Sequence, residues 1–207
     1  MGTRCWLLLA AIGCIGAARG QIIEFESAGL KYKALTHGGV TIMFAALPTH
    51  IRDYAILQIA VSNGSPISWA IKPEDFKFER SDGTSMQALA ARTVVDTLRE
   101  KAGRGDVIKL VSAYEAALYG NTQFHSNNGY EARRQDMLAS GGSTKITAAA
   151  AASAIALVAT KLLPGQTTDG AIFYQNQGKP LGVGHLSVTV ATETFTFPVD
   201  SESPPHH

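Results

Sequence analysis

The chain has 207 residues, of which 45% are hydrophobic, and its 18 basic residues nearly balance its 17 acidic residues. This length is enough to bury the core of one ordinary domain. The formal net charge of +1 excludes a strong field that would attract nucleic acid or anionic lipid. We therefore expect no nucleic-acid partner.

The first residues have the three-part order of a secretory signal peptide. Arg4 is the positive end, an apolar run covers residues 6–18, and small residues follow it. We place the cleavage after Gly20, although a cut after Ala18 also fits. The sequence thus predicts a signal peptide over residues 1–20 and a protein that is secreted or periplasmic.

Two alternatives would keep this leader on a membrane. The apolar run is shorter than the roughly 20 residues that span a bilayer, so an uncleaved anchor is the weaker interpretation. Residues 11–14 read Ala-Ile-Gly-Cys and resemble a lipoprotein cleavage box that lacks its usual Leu, so lipidation at Cys14 is the other. Because Cys5 and Cys14 both lie in the leader, core packing rather than a disulfide must stabilise the mature chain.

Residues 21–84 mostly alternate between apolar and polar side chains, as strands do when they bury one face. Turn-forming pairs such as Gly38-Gly39 and Asp82-Gly83 separate the runs. We expect four or five strands here, the first half of a β-sandwich. The alternation is clearest over residues 30–35, 40–44, 54–61 and 76–79.

The period changes to about 3.6 over residues 85–163, which predicts an insertion of three or four helices. The first helix is expected to begin near Ser85 and to end before Gly103. A second should follow Asp106, which can cap its exposed amides. A weaker polar helix is expected over residues 129–139.

The Ala-rich segment over residues 146–163 permits two interpretations. Its length is at the lower limit of a membrane span. Its five consecutive alanines contribute little transfer free energy, and Lys145 and Lys161 lie at its edges. A buried helix is therefore favoured over a membrane segment.

The two-residue period returns over residues 164–199 and predicts three more strands. A polar, proline-containing tail over residues 200–207 is expected to be disordered. Because a hydrophobic sheet face needs a partner, the two sets of strands should pack together. The predicted fold is mainly β with an α insertion (α+β), an immunoglobulin-like antiparallel β-sandwich interrupted by a block of three or four helices. The alternative is a small β domain, a helical domain and a separate C-terminal hairpin.

Three patches resemble a broad group of exported bacterial proteins with immunoglobulin-like sandwiches. They are Ile59-Ala60-Val61-Ser62-Asn63 with Pro66, Pro73-Glu74-Asp75-Phe76 leading to Ser81-Asp82-Gly83, and Leu163-Pro164-Gly165 with Gly170-Ala171-Ile172-Phe173. The resemblance implies an envelope or extracellular accessory role rather than an enzyme. The long helical insertion departs from a plain sandwich of that kind.

Motifs for catalysis and for metal binding are lacking in the sequence of the mature chain. His37, His50, His125 and His185 do not have the spacing of paired metal ligands, so we expect no metal and no cofactor. Neither Gly-x-Ser-x-Gly nor Ser-x-x-Lys occurs, and we predict no catalytic residue. A hydrolase whose site is assembled from distant residues is the third function considered.

Two short motifs have simpler structural interpretations. Arg104-Gly105-Asp106 is a tripeptide that some adhesion receptors recognise, but Asp106 is also the expected helix cap. Asn63-Gly64-Ser65 is formally a glycosylation acceptor, and it is also an ordinary turn.

The most suggestive candidate site is a loop that combines amides and aromatic rings. Rings stack on the apolar faces of sugars while amides bind hydroxyls, so this composition suits a glycan or another polar ligand. The candidate ligand-binding residues are Asn121, Gln123, Phe124, His125, Asn128 and Tyr130.

The favoured function is a non-catalytic exported or envelope-associated protein in which the sandwich is a scaffold. The helical insertion would contact another envelope or extracellular protein. A carbohydrate or polar small-ligand module that uses the loop 121–130 is the alternative. Membrane association is expected only through an uncleaved leader or through lipidation at Cys14.

Overall fold

The computed structural model describes residues 20–27, 29–47, 50–119, 136 and 143–200. Its strands and helices in chain order are β1 (Ile22–Ser27), β2 (Leu30–His37), β3 (Val40–Ala46), β4 (Tyr54–Asn63), β5 (Trp69–Ile71), β6 (Phe76–Arg80), β7 (Ser85–Gln87), α1 (Ala91–Lys101), α2 (Arg104–Tyr119), α3 (Thr144–Ile155), β8 (Thr160–Leu162), β9 (Thr167–Gln175), β10 (Gly184–Val190) and β11 (Glu193–Val199).

The strands form two large antiparallel sheets and one small sheet. The five-stranded sheet has the order β1-β2-β3-β4-β9, and the four-stranded sheet has the order β11-β10-β6-β7. A third, two-stranded sheet joins β5 to β8. In both large sheets a strand from before the helices pairs with one from after them, β4 with β9 and β6 with β10. The predicted α+β class, mainly antiparallel β with helices between two sets of strands, is confirmed.

The two large sheets share one hydrophobic core. Phe44 of the five-stranded sheet meets Phe197 of the four-stranded sheet edge to face, with ring centroids 5.2 Å apart. Phe78 and Tyr174 make a second such contact at 6.2 Å. The aromatic and aliphatic side chains at alternating positions of the strands point into this core. Their burial holds the two sheets face to face.

The helices form a layer on the opposite face of the five-stranded sheet. Val94 and Leu98 of α1 and Ile155 of α3 are buried in one cluster with Ile56 and Phe173 of the sheet. This second cluster explains why both faces of β4 are apolar, whereas a half-exposed strand would alternate.

The Ala-rich segment forms α3, which is buried against α1 and α2. Its side chains at Ala148, Ala151 and Ala152 are fully buried, and their small size lets the neighbouring helix approach closely. The buried helix is thus the arrangement observed for this segment. Among the described residues, no helix combines the length and hydropathy needed to cross a membrane.

The two outer boundaries of the helical block were predicted wrongly. The first helix begins at Ala91, because residues 85–87 form strand β7 instead and pair with β6, which places Met86 opposite Phe78. The Ala-rich helix ends at Ile155, and residues 160–162 form β8. Strand β7 forms a hairpin with β6, and β8 pairs with the distant strand β5, so strand pairing overrides the local pattern in both places.

The segment that follows α3 lies along β9, and Gly170 makes this possible. The amide of Leu157 donates to the carbonyl oxygen of Ala171 at 2.8 Å. A Cβ atom on Gly170 would lie 2.6 Å from the Cα atom of Leu157. A glycine is therefore required where the two backbones meet.

Several predictions lie outside the described residues. They concern the signal peptide apart from Gly20, the cysteines at 5 and 14, the polar helix over 129–139 apart from residue 136, and the tail after Asp200.

Candidate interaction surface

The loop predicted to bind a ligand lies outside the described residues. This applies to all of its candidate residues, Asn121, Gln123, Phe124, His125, Asn128 and Tyr130. The glycan-binding hypothesis consequently stays a prediction from sequence.

The described histidines have different surroundings. His37 joins the two sheets, because its Nδ1 atom lies 2.8 Å from Oε2 of Glu193 in the hairpin between β10 and β11. His50 lines a small cavity. In the part of the chain that the structure describes, no group of three His, Cys, Asp or Glu side chains is placed to hold a metal ion.

His185 and Ser187 lie on the outward face of the four-stranded sheet. In the strand register, His185 is opposite Glu79 and Ser187 is opposite Lys77. The charge of Lys77 and its hydrogen bond hold the pKa of Glu79 below its ordinary value, with a smaller contribution from His185. This flat, charged surface resembles an ordinary solvated sheet face.

The Arg-Gly-Asp tripeptide is part of helix α2 rather than of a free loop. Asp106 lies in the first turn, where Oδ2 accepts the backbone amide of Gly103 at 2.8 Å and approaches Nη1 of Arg52 at 3.3 Å. Asp106 was expected to precede this helix and to cap it. The helix instead begins at Arg104, so Asp106 is its third residue and accepts the amide of the residue before the helix.

The Asn63-Gly64-Ser65 motif is a buried turn. The side chain of Asn63 is inaccessible to solvent, and its Nδ2 atom donates to the carbonyl oxygens of Ile67 and Leu162 at 2.7 and 3.1 Å. Its Oδ1 atom accepts the Ser65 hydroxyl at 2.6 Å, and that hydroxyl also accepts the indole N–H of Trp69. All of these bonds serve the fold.

A cavity of about 40 Å³ lies between β4 and the loop before β10, lined in part by His50, Lys179 and Asp200. One wall is fixed by Asn176, whose Nδ2 atom donates to the carbonyl oxygens of Lys179 and Pro180. Sites for small organic ligands usually measure at least about 300 Å³. This cavity suits a few waters and not a substrate of that size.

A buried polar group lies on the helix-facing side of the five-stranded sheet. Gln58 and Asp169 occupy neighbouring strands, with Nε2 and Oδ2 3.5 Å apart. Burial raises the pKa of Tyr32, and the negative charge of Asp169 raises it further. Polar residues in the middle of apolar strands were a signal in the sequence that could have pointed to this group. Burial of a polar group without a partner is costly. The pairing of Gln58 with Asp169 therefore favours the arrangement in which the helices cover this face of the sheet.

The helical layer exposes large apolar side chains on its outer side. The side chain of Ile108 on α2 is 60% exposed, and that of Ile146 on α3 is 51% exposed. The solvent-facing side of α1 carries Arg92 and Arg99. We refer to these four residues as the helical-layer surface.

The edge strand β1 is a second exposed apolar feature. Ile23 and Phe25 are 60% and 38% exposed and share one face of the strand. The ring of Phe25 stacks on Tyr32 of β2 with centroids 5.3 Å apart. The alternation of Ile23 and Phe25 with Glu24 and Glu26 was visible in the sequence, but our predictions assigned no role to it.

No family model and no curated protein matches the chain. Among solved structures, the yjhA protein from Bacillus subtilis aligns with 80% of this chain and 76% of its own, at 9% identity and a TM-score of 0.32. A likeness at this level supports no inference about fold or function.

Proposed function

We propose that this protein is an exported, non-catalytic scaffold whose helical layer binds another envelope or extracellular protein. The observation that carries the proposal is the exposure of Ile108 on α2 and of Ile146 on α3, two helices that pack against each other and share the apolar cluster over the five-stranded sheet. Burial of one isoleucine side chain contributes about 1.5–3 kcal/mol, so covering both would contribute substantially to affinity.

The way in which the layer is attached supports its role as a contact surface. A continuous apolar cluster fastens α1 and α3 to the sheet beneath them. A surface that is already ordered loses little conformational entropy when it binds. The arginines Arg92 and Arg99 would provide polar contacts at the rim.

Export is proposed from the three-part leader over residues 1–20, and the immunoglobulin-like assignment is likewise a proposal. Two antiparallel sheets over one core agree with that assignment. The side-by-side order of β1, β2, β3 and β4 departs from the Greek-key connections usual in immunoglobulin domains.

Deletion of the whole helical layer would be a poor test. Ile56 and Phe173 of the sheet are buried beneath it, so the truncated protein would expose a large apolar face and aggregate. Single substitutions on the outer side of the helices avoid this difficulty.

The test places a photo-crosslinking amino acid at Ile108 or Ile146 in the full chain and irradiates the native host. Thr194, exposed on the four-stranded sheet, is the matched control position. We expect both helical positions to crosslink to one defined exported protein and the control position not to do so. With that protein purified, Ile108→Glu should weaken binding at least tenfold.

Two results would contradict the proposal. One is the absence of any product from the helical positions, and the other is the same set of products from the control position. A purified partner whose affinity is unchanged by Ile108→Glu and by Ile146→Glu would also refute the helical layer as the contact surface.

A further inference from the structure

Three of the four outer edges of the large sheets are protected against further strand pairing. In the described chain, Leu157 and Leu89 donate backbone hydrogen bonds to β9. Strand β7 has three residues, and β11 carries Pro198, which lacks an amide donor. Short strands, prolines and covering segments are the usual means by which proteins prevent edge-to-edge association.

The fourth edge, strand β1, has none of these protections among the described residues. It is six residues long, contains no proline or lysine, and pairs with β2 over its whole length. Its second edge has no strand partner in the described part of the chain. A long edge strand with exposed Ile23 and Phe25 is a template for an additional strand.

The charges on β1 indicate what kind of strand would bind. Glu24 and Glu26 lie on the face opposite to Ile23 and Phe25, and both are exposed. On the occupied side, β2 places Lys33 opposite Glu24 and Lys31 opposite Glu26, and the Lys33–Glu24 ion pair measures 3.0 Å. The existing neighbour therefore shows the pattern that fits this strand, with basic and apolar residues in alternation.

The same charges disfavour a second copy of this chain as the occupant. Two β1 strands related by a twofold axis pair antiparallel with the same face upward. The two registers that pair five residues place Glu24 opposite either Glu24 or Glu26 of the other copy. Like charges directly opposite each other destabilise a strand pair.

We propose that β1 binds an extended segment of a partner protein, in which Lys or Arg alternates with apolar residues, as a sixth strand of the sheet. Its basic side chains would lie opposite Glu24 and Glu26, and its apolar side chains would pack beside Ile23 and Phe25. This surface is separate from the helical-layer surface, so either proposal can fail without the other.

The test uses the full chain expressed with its leader and purified after processing by its host. The probe is a fluorescent peptide with the sequence of residues 30–37, Leu-Lys-Tyr-Lys-Ala-Leu-Thr-His, and binding is followed by anisotropy. The matched control peptide carries Glu in place of both lysines. The matched protein variant is Glu26→Lys, an exposed substitution whose folding is checked by circular dichroism.

We expect the basic peptide to bind wild type about fivefold or more tightly than the acidic peptide, a ratio typical of reversed cross-strand charges. Glu26→Lys should reduce or invert that preference. Because Ile23 and Phe25 pair with β2 through their backbone groups, the amides of Glu24 and Glu26 point to the open edge, and their hydrogen exchange should slow when the basic peptide is bound.

Three results would overturn the inference. They are no binding of the basic peptide at millimolar concentration, a preference unchanged by Glu26→Lys, and slowed exchange at positions remote from β1. Sedimentation that shows a dimer abolished by Ile23→Lys would identify a second copy as the occupant and would also refute it.

Discussion

Replacement of Tyr174 by phenylalanine should stabilise this protein. Tyr174 lies on β9 and points into the core between the sheets, and its buried hydroxyl has no hydrogen-bond partner among the described residues. An unsatisfied buried polar group costs about 1–3 kcal/mol relative to its hydrated state in the unfolded chain. Phenylalanine keeps the ring and its contact with Phe78.

The expected gain at neutral pH is about 1 kcal/mol. Removal of one oxygen leaves a small void, and a void costs about 24 cal/mol per Å³, which offsets part of the benefit. For a chain of this size, 1 kcal/mol corresponds to about 2–4 °C in melting temperature.

The gain should increase at alkaline pH. Burial raises the pKa of Tyr174 well above its ordinary value, so the folded protein keeps this proton while the unfolded chain loses it above pH of about 10. Because the native state then binds more protons than the unfolded state, stability falls as pH rises. At pH 10.5 this adds about 0.8 kcal/mol to the difference between Tyr174→Phe and wild type.

The assay is urea unfolding of wild type, Tyr174→Phe and Thr168→Val at pH 7 and pH 10.5. Within the part of the chain that the structure describes, the buried hydroxyl of Thr168 also lacks a partner. It does not titrate in this range, so the gain from Thr168→Val should be equal at both pH values. A lower midpoint for Tyr174→Phe than for wild type at pH 7 would refute the reasoning. It would mean that the hydroxyl makes a hydrogen bond in the folded chain.

Three other substitutions test separate features of the fold by the same unfolding assay. Gly170→Ala should destabilise by about 1–3 kcal/mol, since its Cβ would collide with the segment after α3, whereas Gly105→Ala meets no atom within 4 Å and should be neutral or slightly stabilising. Equal effects of the two would contradict the close approach at β9. Asp106→Ala should cost about 0.5–2 kcal/mol through loss of its bonds from Gly103 and Arg52 at the start of α2, and an unchanged midpoint would show that both bonds are dispensable. The ammonium group of Lys33 lowers the pKa of Asp200, so the stabilisation from Asp200 is present above about pH 4 and is lost as pH falls through the lowered value. The urea midpoints of wild type and Asp200→Asn should converge as the pH is lowered. A difference between these midpoints that stays constant from pH 6 to pH 3 would rule out the ion pair as the source of the stabilisation.

Much of the β architecture could be predicted from the alternation of side chains. Ile42 and Phe44, for example, are inward on β3 as their pattern indicated, and β10 and β11 follow the alternation of Leu186 and Phe195. The boundary near Ser85 was missed because Met86 fits a helical stripe and a strand equally well. The Asp82-Gly83 turn between β6 and β7 was the local signal that could have identified this hairpin.

The candidate surfaces were less accessible to prediction. Exposure of Ile108 and Ile146 depends on which side of each helix meets the sheet, and a continuous apolar helix such as α3 does not reveal that side. The open edge of β1 could not be inferred either, because strand order is a property of the assembled sheet.

By itself the sequence determined the periods of the elements and the division into two sets of strands around helices, because local side-chain alternation follows directly from backbone geometry. Only the tertiary structure decided that β4 pairs with β9 and that both faces of β4 are covered. It also decided that Gln58 and Asp169 meet beneath the helices. These features join residues as far apart in the chain as Tyr54 and Gln175. Such contacts are selected by the burial of complementary surfaces in the whole molecule, which no short window of sequence contains.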